Sequence, residues 1–429
     1  MRARRLLALM SAALLPAAHP SEPEGAPAAF LTHATQKIFA HDSVRATVGP
    51  LELAAAQNEY EPMLVVLQPG GRQPYDGVSV AVPGTAIASQ ASRVGYVSVV
   101  NITDCDSLGP GEYPDPLVPD VDSYLGQKRN AFPVSVPAGQ NRLLLISLFV
   151  PPGTRPGVHA GTVTVTAGGA KQALPFTLEV FAHRLPSTSS LQSDYGMSQR
   201  SIFAGHHISA PHGERPGHLE SARRLYMRYL DAGLMHRVSG ATDMYPWFHS
   251  DYHGYVNASG RTLPFGLRGA KLTAVKMPCS TLDGRGCPTN GDPPTNRSWA
   301  NASTSWAGAV TKYWRQVYSN FSSHGDGREE LLYDYSVDEP TGHGCTTTAS
   351  GERNCSSNFA QIKARAAALR AANSELRSLV TTELCETGKM GANGRCIVPP
   401  GLDTVKDDIS LWVPMIQCER GPASPPLSI

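Results

Sequence analysis

Over residues 29–182, short apolar runs alternate with polar positions, and Gly/Pro pairs interrupt them. Residues 143–150 are continuously aliphatic or nearly so. Residues 161–167 read Gly-Thr-Val-Thr-Val-Thr-Ala, and residues 176–181 repeat that alternation. A strand turns successive side chains to opposite faces, so a period of two marks strands with one buried face. Pro151-Pro152-Gly153 and Pro156-Gly157 supply turns between them. No stretch here has a helical period, which predicts a β-sandwich over residues 29–183. Residues 184–190, Arg-Leu-Pro-Ser-Thr-Ser-Ser, break the pattern and read as a linker.

Beyond the linker the period changes. Residues 218–230 place Leu219, Ala222, Tyr226, Tyr229 and Leu230 on one helical face. Residues 306–321 do the same with Trp306, Val310, Trp314, Val317 and Phe321, and residues 358–376 with Phe359, Ile362, Ala366 and Leu369. Strand candidates fall between them at 191–197, 236–241, 331–337, 379–383 and 409–414, with 272–276 as a sixth. Such alternation of strands and helices argues for a parallel sheet, open or closed into a barrel. Residues 252–303 are rich in Gly, Pro, Asn and Ser and read as a long loop over that sheet.

Length and charge narrow the class. A chain of 429 residues has room for two domains or more. Residues 1–18 carry Arg2, Arg4 and Arg5 ahead of an apolar stretch too short to span a bilayer. They read as a cleaved secretory signal. No later stretch reaches membrane length, so no transmembrane segment is expected. Without those three arginines, 34 of the 37 basic residues remain against 36 acidic ones. That balance points away from nucleic acid and from anionic membrane surfaces.

Six Asn-x-Ser/Thr sequons, at Asn101, Asn257, Asn296, Asn301, Asn320 and Asn354, fit a secreted or lumenal glycoprotein. The eight cysteines show no CxxC spacing, and no metal site is expected. Three close pairs, Cys279 with Cys287, Cys345 with Cys355 and Cys385 with Cys396, suggest local disulfides. Cys105 and Cys418 are left over. The sequence is silent on oligomeric state.

Candidate chemistry gathers at residues 331–340, Leu-Leu-Tyr-Asp-Tyr-Ser-Val-Asp-Glu-Pro. An apolar run ends there on two adjacent carboxylates. Regular alternation would send Asp338 and Glu339 to opposite faces. At a strand end the pleat breaks, and Pro340 biases Glu339 towards an extended or turn geometry. Both can then lean over one opening, where parallel barrels keep their catalytic groups. Paired carboxylates suit glycoside hydrolysis, and a solvated acidic turn is the plain alternative.

Tyr333 and Tyr335 share a face by alternation, either as core or, for Tyr335, as a substrate contact. Asp334 is expected as a buried hydrogen-bond acceptor. His236 and Arg237 stand where a strand should begin and are candidates for substrate contact or a structural ion pair. Trp412 is a candidate to stack on a sugar or to fill a core layer. Glu383 ends its strand as Glu339 does. His206, His207, His212 and His218 lack a regular ligand spacing and read as solvated loop residues. No phosphate-binding loop, GxSxG or HExxH occurs.

Several stretches together resemble glycoside hydrolase family 123 and related domains. They are Ala56-Gln-Asn-Glu-Tyr-Glu61 leading into Leu64-Val-Val-Leu67, Tyr113-Pro-Asp-Pro-Leu117, the segment 150–161, Phe181-Ala-His-Arg-Leu-Pro186, Tyr335-Ser-Val-Asp-Glu-Pro340 and, more loosely, Leu411-Trp-Val-Pro414. The resemblance covers most of residues 45–415. It implies a β-sandwich followed by a (β/α)8-type barrel over residues 191–429. It also implies a retaining exo-β-N-acetylgalactosaminidase that uses the substrate's 2-acetamido group as nucleophile, without metal or cofactor.

Asp338 and Glu339 map onto the family's catalytic pair, with repulsion between them raising one pKa to supply the acid. The family's domain continues beyond the match at Pro414, and only six strands are counted of the eight that closure needs. A barrel incomplete at its C-terminal end is therefore expected. Two function classes remain: a secreted glycosidase acting on a glycan or glycoconjugate, and a non-catalytic carbohydrate-binding or adhesion protein that keeps the fold.

Overall fold

The structure, a computed structural model, describes residues 28–46, 49–68, 74–101, 109–197, 199–208, 216–241, 267–277, 304–341, 345–349, 353–382, 399 and 401–414. The signal segment, most of the 252–303 loop and Glu383 lie outside the described residues.

The first part contains β1 (Ala29–His33), β2 (Leu51–Gln57), β3 (Glu59–Leu67), β4 (Tyr75–Ala81), β5 (Ala88–Val99), β6 (Gly111–Pro119), β7 (Arg142–Val150), β8 (Gly157–Ala167) and β9 (Ala170–Arg184). They form two sheets, β1-β3-β7-β5-β6 and β2-β9-β8-β4. Met63, Val65, Leu144, Ile146 and Leu148 of the first sheet meet Leu53, Val163, Val165, Phe176 and Leu178 of the second in one apolar core. The aliphatic run at β7 has a direct cause. This strand is paired on both edges, and while Leu144, Ile146 and Leu148 face the opposite sheet, Leu143 packs with Phe30, Ile38 and Val66 on the other side.

The second part contains β10 (Tyr195–Gly196), α1 (Gln199–Gly205), α2 (Pro216–Met235), β11 (Gly240–Ala241), β12 (Val275–Lys276), α3 (Thr304–Ser322), β13 (Leu332–Asp338), β14 (Thr346–Thr347), β15 (Arg353–Asn354), α4 (Ser356–Ala372), β16 (Arg377–Thr382) and β17 (Leu411–Pro414). A strand occurs at each of the six segments expected from the sequence. β12-β13-β16-β17 make one parallel sheet, and β10-β11 a separate parallel pair.

Hydroxyls bridge the gap between these two pieces. Ser239 Oγ accepts from the Thr273 N–H at 2.7 Å, and Thr273 Oγ1 accepts from the Ser193 N–H at 3.1 Å. No closed (β/α)8 barrel is present among the described residues. The array does curl: Tyr333 on β13 donates its hydroxyl to Asp194 beside β10, across two intervening strands. Side chains on a flat sheet stand roughly perpendicular to it and would not meet over some 14 Å at normal strand spacing.

The helices cover the convex side. Val310, Trp314, Val317 and Phe321 of α3 are buried, as are Ala222, Tyr226 and Leu230 of α2. Tyr229 departs from the expected face. It is 38 % exposed, and its hydroxyl lies 2.9 Å from His206 Nε2. Phe359, Ile362, Ala366 and Leu369 of α4 are all buried. Among the described residues no helix is long and apolar enough to cross a membrane.

Candidate active site

The site is built on β13 and depends on an irregularity there. β13 pairs with β16 as Tyr335↔Leu379 and then Val337↔Val380, leaving Ser336 as the extra residue of a bulge. Before it, alternation is regular. Leu332 packs with the convex helices, Tyr333 faces the concave side, Asp334 faces α4 and Tyr335 faces the concave side. Without the bulge, Val337 would follow Tyr335 to the concave face and Asp338 would turn to the helices. Instead Val337 packs with Phe359, Ile362 and Val380, and Asp338 joins Tyr335. A bulge re-aims the residues after it, and here it delivers the carboxylate.

The convex side of the bulge is polar and dry. Asp334 and Arg365 are both 0 % exposed and form a two-pronged pair, with Nε to Oδ2 at 3.0 Å and Nη2 to Oδ1. Ser336 Oγ donates to Asp334 Oδ2 at 2.7 Å and lies 2.7 Å from Ser378 Oγ on β16. Asp334 is thus the buried acceptor expected, serving beneath the site rather than in it.

On the concave side, Asp338 is exposed. Its Oδ1 lies 2.6 Å from both the Tyr335 hydroxyl and Thr381 Oγ1, and these two hydroxyls are 2.7 Å apart. Two hydroxyl hydrogens serve three contacts, so any arrangement with two bonds sends at least one to the carboxylate. Burial, and then the Asp338 carboxylate, hold the Tyr335 phenol protonated well above its ordinary range. The proton that braces Asp338 therefore stays in place at neutral pH.

Glu339 follows at φ 46°, a left-handed turn geometry rather than the extended alternative before Pro340. Its N–H donates to Thr381 O at 3.0 Å, which holds it there. A left-handed non-glycine residue costs about 1–2 kcal/mol and persists where its surroundings impose it. Pro340 and Thr341 behind it are buried. Cys345 and Cys355 form a disulfide, Cα–Cα 4.4 Å, across the β14–β15 hairpin that follows. This is one of the three close pairs; the other six cysteines lie outside the described residues.

The remaining candidates separate from this face. His236 and Arg237 are not at a strand start. They close α2, with Arg237 in the left-handed position that ends many helices (φ 57°), and β11 begins only at Gly240. They stand at the N-terminal ends of parallel strands, whereas Asp338 is at a C-terminal end. The Arg237 guanidinium donates to Pro186 O at 2.8 Å and to Asn58 O, tying α2 to the sandwich. Asn58 Nδ2 in turn donates to Leu185 O at 2.9 Å. Two of the short motifs, at 56–61 and 181–186, are therefore junction elements.

Trp412 pairs with Val380 and, half-buried, packs against the convex cluster of Val337, Phe359 and Ile362. His206 and His207 end α1, and His212 lies outside the described residues. No group of three potential metal ligands occurs among the described residues.

Three concave-face residues were missed from the sequence: Asp194, Lys276 and Thr381. Lys276 Nζ lies 5.0 Å from the Tyr335 ring centroid. Asp194 is exposed yet crowded, and desolvation pushes its carboxyl up against the opposing pull of Tyr333 and Lys276. The available signal was a polar residue in or beside each of three predicted strands.

No protein-family model matches the chain, and no curated protein matches it in sequence. Solved structures show distant likenesses. A family 123 glycoside hydrolase from Clostridium perfringens, described for glycolipid glycan hydrolysis, is 12 % identical with a TM-score of 0.49, covering 84 % of this chain. The C-terminal domain of the Streptococcus agalactiae AgI/II polypeptide BspA is 8 % identical over 36 % of this chain and 50 % of its own, TM-score 0.19. EndoBT-3987 of Bacteroides thetaiotamicron, solved with a Man5GlcNAc product, is 9 % identical over 85 % of this chain and 75 % of its own, TM-score 0.19. The chain spans 65 % of the length of the Clostridium perfringens enzyme, to which it bears a distant structural similarity.

Proposed function

We propose that this chain is an exported glycosidase that removes terminal β-linked N-acetylhexosamine, N-acetylgalactosamine in particular, by substrate-assisted catalysis with retention. One observation carries the reading. Asp338 has one oxygen held by Tyr335 and Thr381 while the other has no hydrogen-bond partner among the described residues, and Glu339 is locked beside it in a strained turn.

In this reading the outer oxygen of Asp338 accepts the acetamido N–H. That aligns the acetamido carbonyl oxygen with C1, and the negative charge offsets the positive charge growing on the oxazolinium ring. Glu339 gives its proton to the leaving oxygen as the C1–O bond breaks. It then takes a proton from the water that opens the ring at C1. The six parallel strands are read as part of a (β/α)8-type barrel over residues 191–429, linked through 184–190 to a sandwich domain of residues 29–183. Export is supported by the exposed positions of Asn101, Asn320 and Asn354 and by the Cys345–Cys355 disulfide.

The test compares leaving groups on the full chain. Glu339→Gln is expected to cost roughly 10²–10⁴-fold with a poor leaving group and far less with an activated aryl one. Asp338→Asn should be damaging with both, and an N-trifluoroacetyl substrate should react much more slowly than the N-acetyl one. Equal losses for both variants on every leaving group, with no fluorine effect, would assign the pair another role.

A further inference from the structure

Asp338 has a counterpart across the concave face. Tyr333 and Tyr335 are successive concave-side residues of β13, and each braces a carboxylate. Tyr335 holds Oδ1 of Asp338, four strands along the array, and Tyr333 holds Oδ2 of Asp194, at its start. Neither Asp338 Oδ2 nor Asp194 Oδ1 has a hydrogen-bond partner among the described residues. Lys276 comes from β12, between them in the array, with its ammonium over the Tyr335 ring and its charge acting on Asp194.

We infer that Asp194 and Lys276 form a second binding station on this face, one that reads ring hydroxyls of a saccharide, with Tyr333 as its positioning residue. This rests on the reading of the concave face as a sugar site. The chemistry selects the ligand class. A carboxylate with one oxygen pinned accepts an O–H along a fixed direction, and a nearby ammonium donates to the neighbouring hydroxyl. Two carboxylates on one face repel a phosphate or an acid, and an apolar ligand would strip water from three charges without replacing its hydrogen bonds. A neutral polyhydroxyl ligand satisfies them. A site built to bond a hydroxyl rejects the analogue that lacks it, because its own polar groups are then left unpaired.

The test is equilibrium binding to the full chain, by calorimetry or ligand-observed NMR. The probes are methyl β-N-acetylgalactosaminide, methyl β-galactoside and the 3-, 4- and 6-monodeoxy forms of the latter. Asp194→Asn, which keeps an acceptor for Tyr333, should weaken both parent glycosides about tenfold, as expected for a hydrogen bond to a charged group. At least one deoxy sugar should bind wild type and variant alike, since it lacks the hydroxyl being read. Tyr333→Phe should give a smaller loss with the same profile, and Lys276→Met supplies that profile independently should Asp194→Asn fold poorly.

A loss spread evenly over all deoxy sugars, no loss at all, or no binding of any of these glycosides by wild type would overturn the inference. Asp338→Asn keeps the two readings apart. It should weaken the acetamido glycoside and spare the galactoside. If it does not, the acetamido reading falls while the outcome for Asp194 still stands.

Discussion

β7 and β13 look alike as sequence and behave differently as structure. Both are short, apolar-rich and central, each paired on two edges. β7 keeps unbroken register over nine residues with β3 and buries hydrocarbon on both faces. β13 breaks register after Tyr335, buries an ion pair on one face, and ends in a strained turn. A ladder with no function beyond stability can be regular. One that must aim a carboxylate departs from regularity, and the departure is held by buried polar groups. A bulge slides easily in an apolar strand, because one aliphatic register costs much the same as the next. The Asp334–Arg365–Ser336–Ser378 network permits only one register.

The comparison is sharpest where the buried charge is broken. Asp334→Leu leaves Arg365 buried opposite hydrocarbon and should cost about 3–5 kcal/mol of unfolding free energy. Adding Arg365→Met should restore most of it, as measured by denaturant titration. A single variant as stable as wild type would mean that the pair does not hold the strand.

In β7, Ile146→Ala should cost roughly 2–4 kcal/mol from lost burial and the cavity left behind, yet leave the proposed saccharide binding on the concave face intact below the melting temperature. Lost binding at full foldedness would erase the contrast between the two strands.

Next in size is Thr381→Val, which leaves Tyr335 as the sole brace on Asp338. On the glycosidase proposal, about a tenfold loss, falling on kcat more than on KM, is expected from one hydrogen bond to a charged group. Thr381→Ser should recover it, and a serine variant no better than valine would point to packing instead.

The smallest effect lies where the regular ladder meets the junction. Glu61 pairs with Leu148 of β7, and burial, with Glu59 nearby, pushes its carboxyl from 4.5 up to about 7. The folded chain then binds this proton more tightly than the unfolded one. Stability therefore falls as pH rises from the unfolded value towards 7, and is level above it. Glu61→Gln removes that fall, so its melting temperature should gain on wild type between pH 5 and pH 8. A constant difference across that range would place the titration elsewhere.

Much of this was legible in the chain. One continuous aliphatic run and two period-two runs located β7, β8 and β9 of the first part, with Gly/Pro turns between them. The change of period after residue 190, the six strand positions of the second part, and the buried faces of α3 and α4 followed from apolar spacing alone. The Cys345–Cys355 disulfide followed from close cysteine spacing, and Asp338 and Glu339 stood out as two carboxylates at the end of an apolar run. These are properties of neighbours in sequence.

What sequence could not supply was everything set by contacts across strands. Alternation alone sends Asp338 to the helices, and only the mismatch of β13 against β16 returns it to Tyr335. His236 and Arg237 were placed at a strand because α2 runs on past Gly233 to Met235, and Arg237 rather than a glycine takes the left-handed turn. Trp412 packs half-buried against the cluster around Val337 because β17 pairs with β16 at Val380. Asp194, Lys276 and Thr381 stand 139, 57 and 46 positions from the β13 tyrosines they meet or, for Lys276, 59 from Tyr335. Periodicity reports which side of its own strand a residue occupies, whereas register and curl decide which residues share the space beyond it.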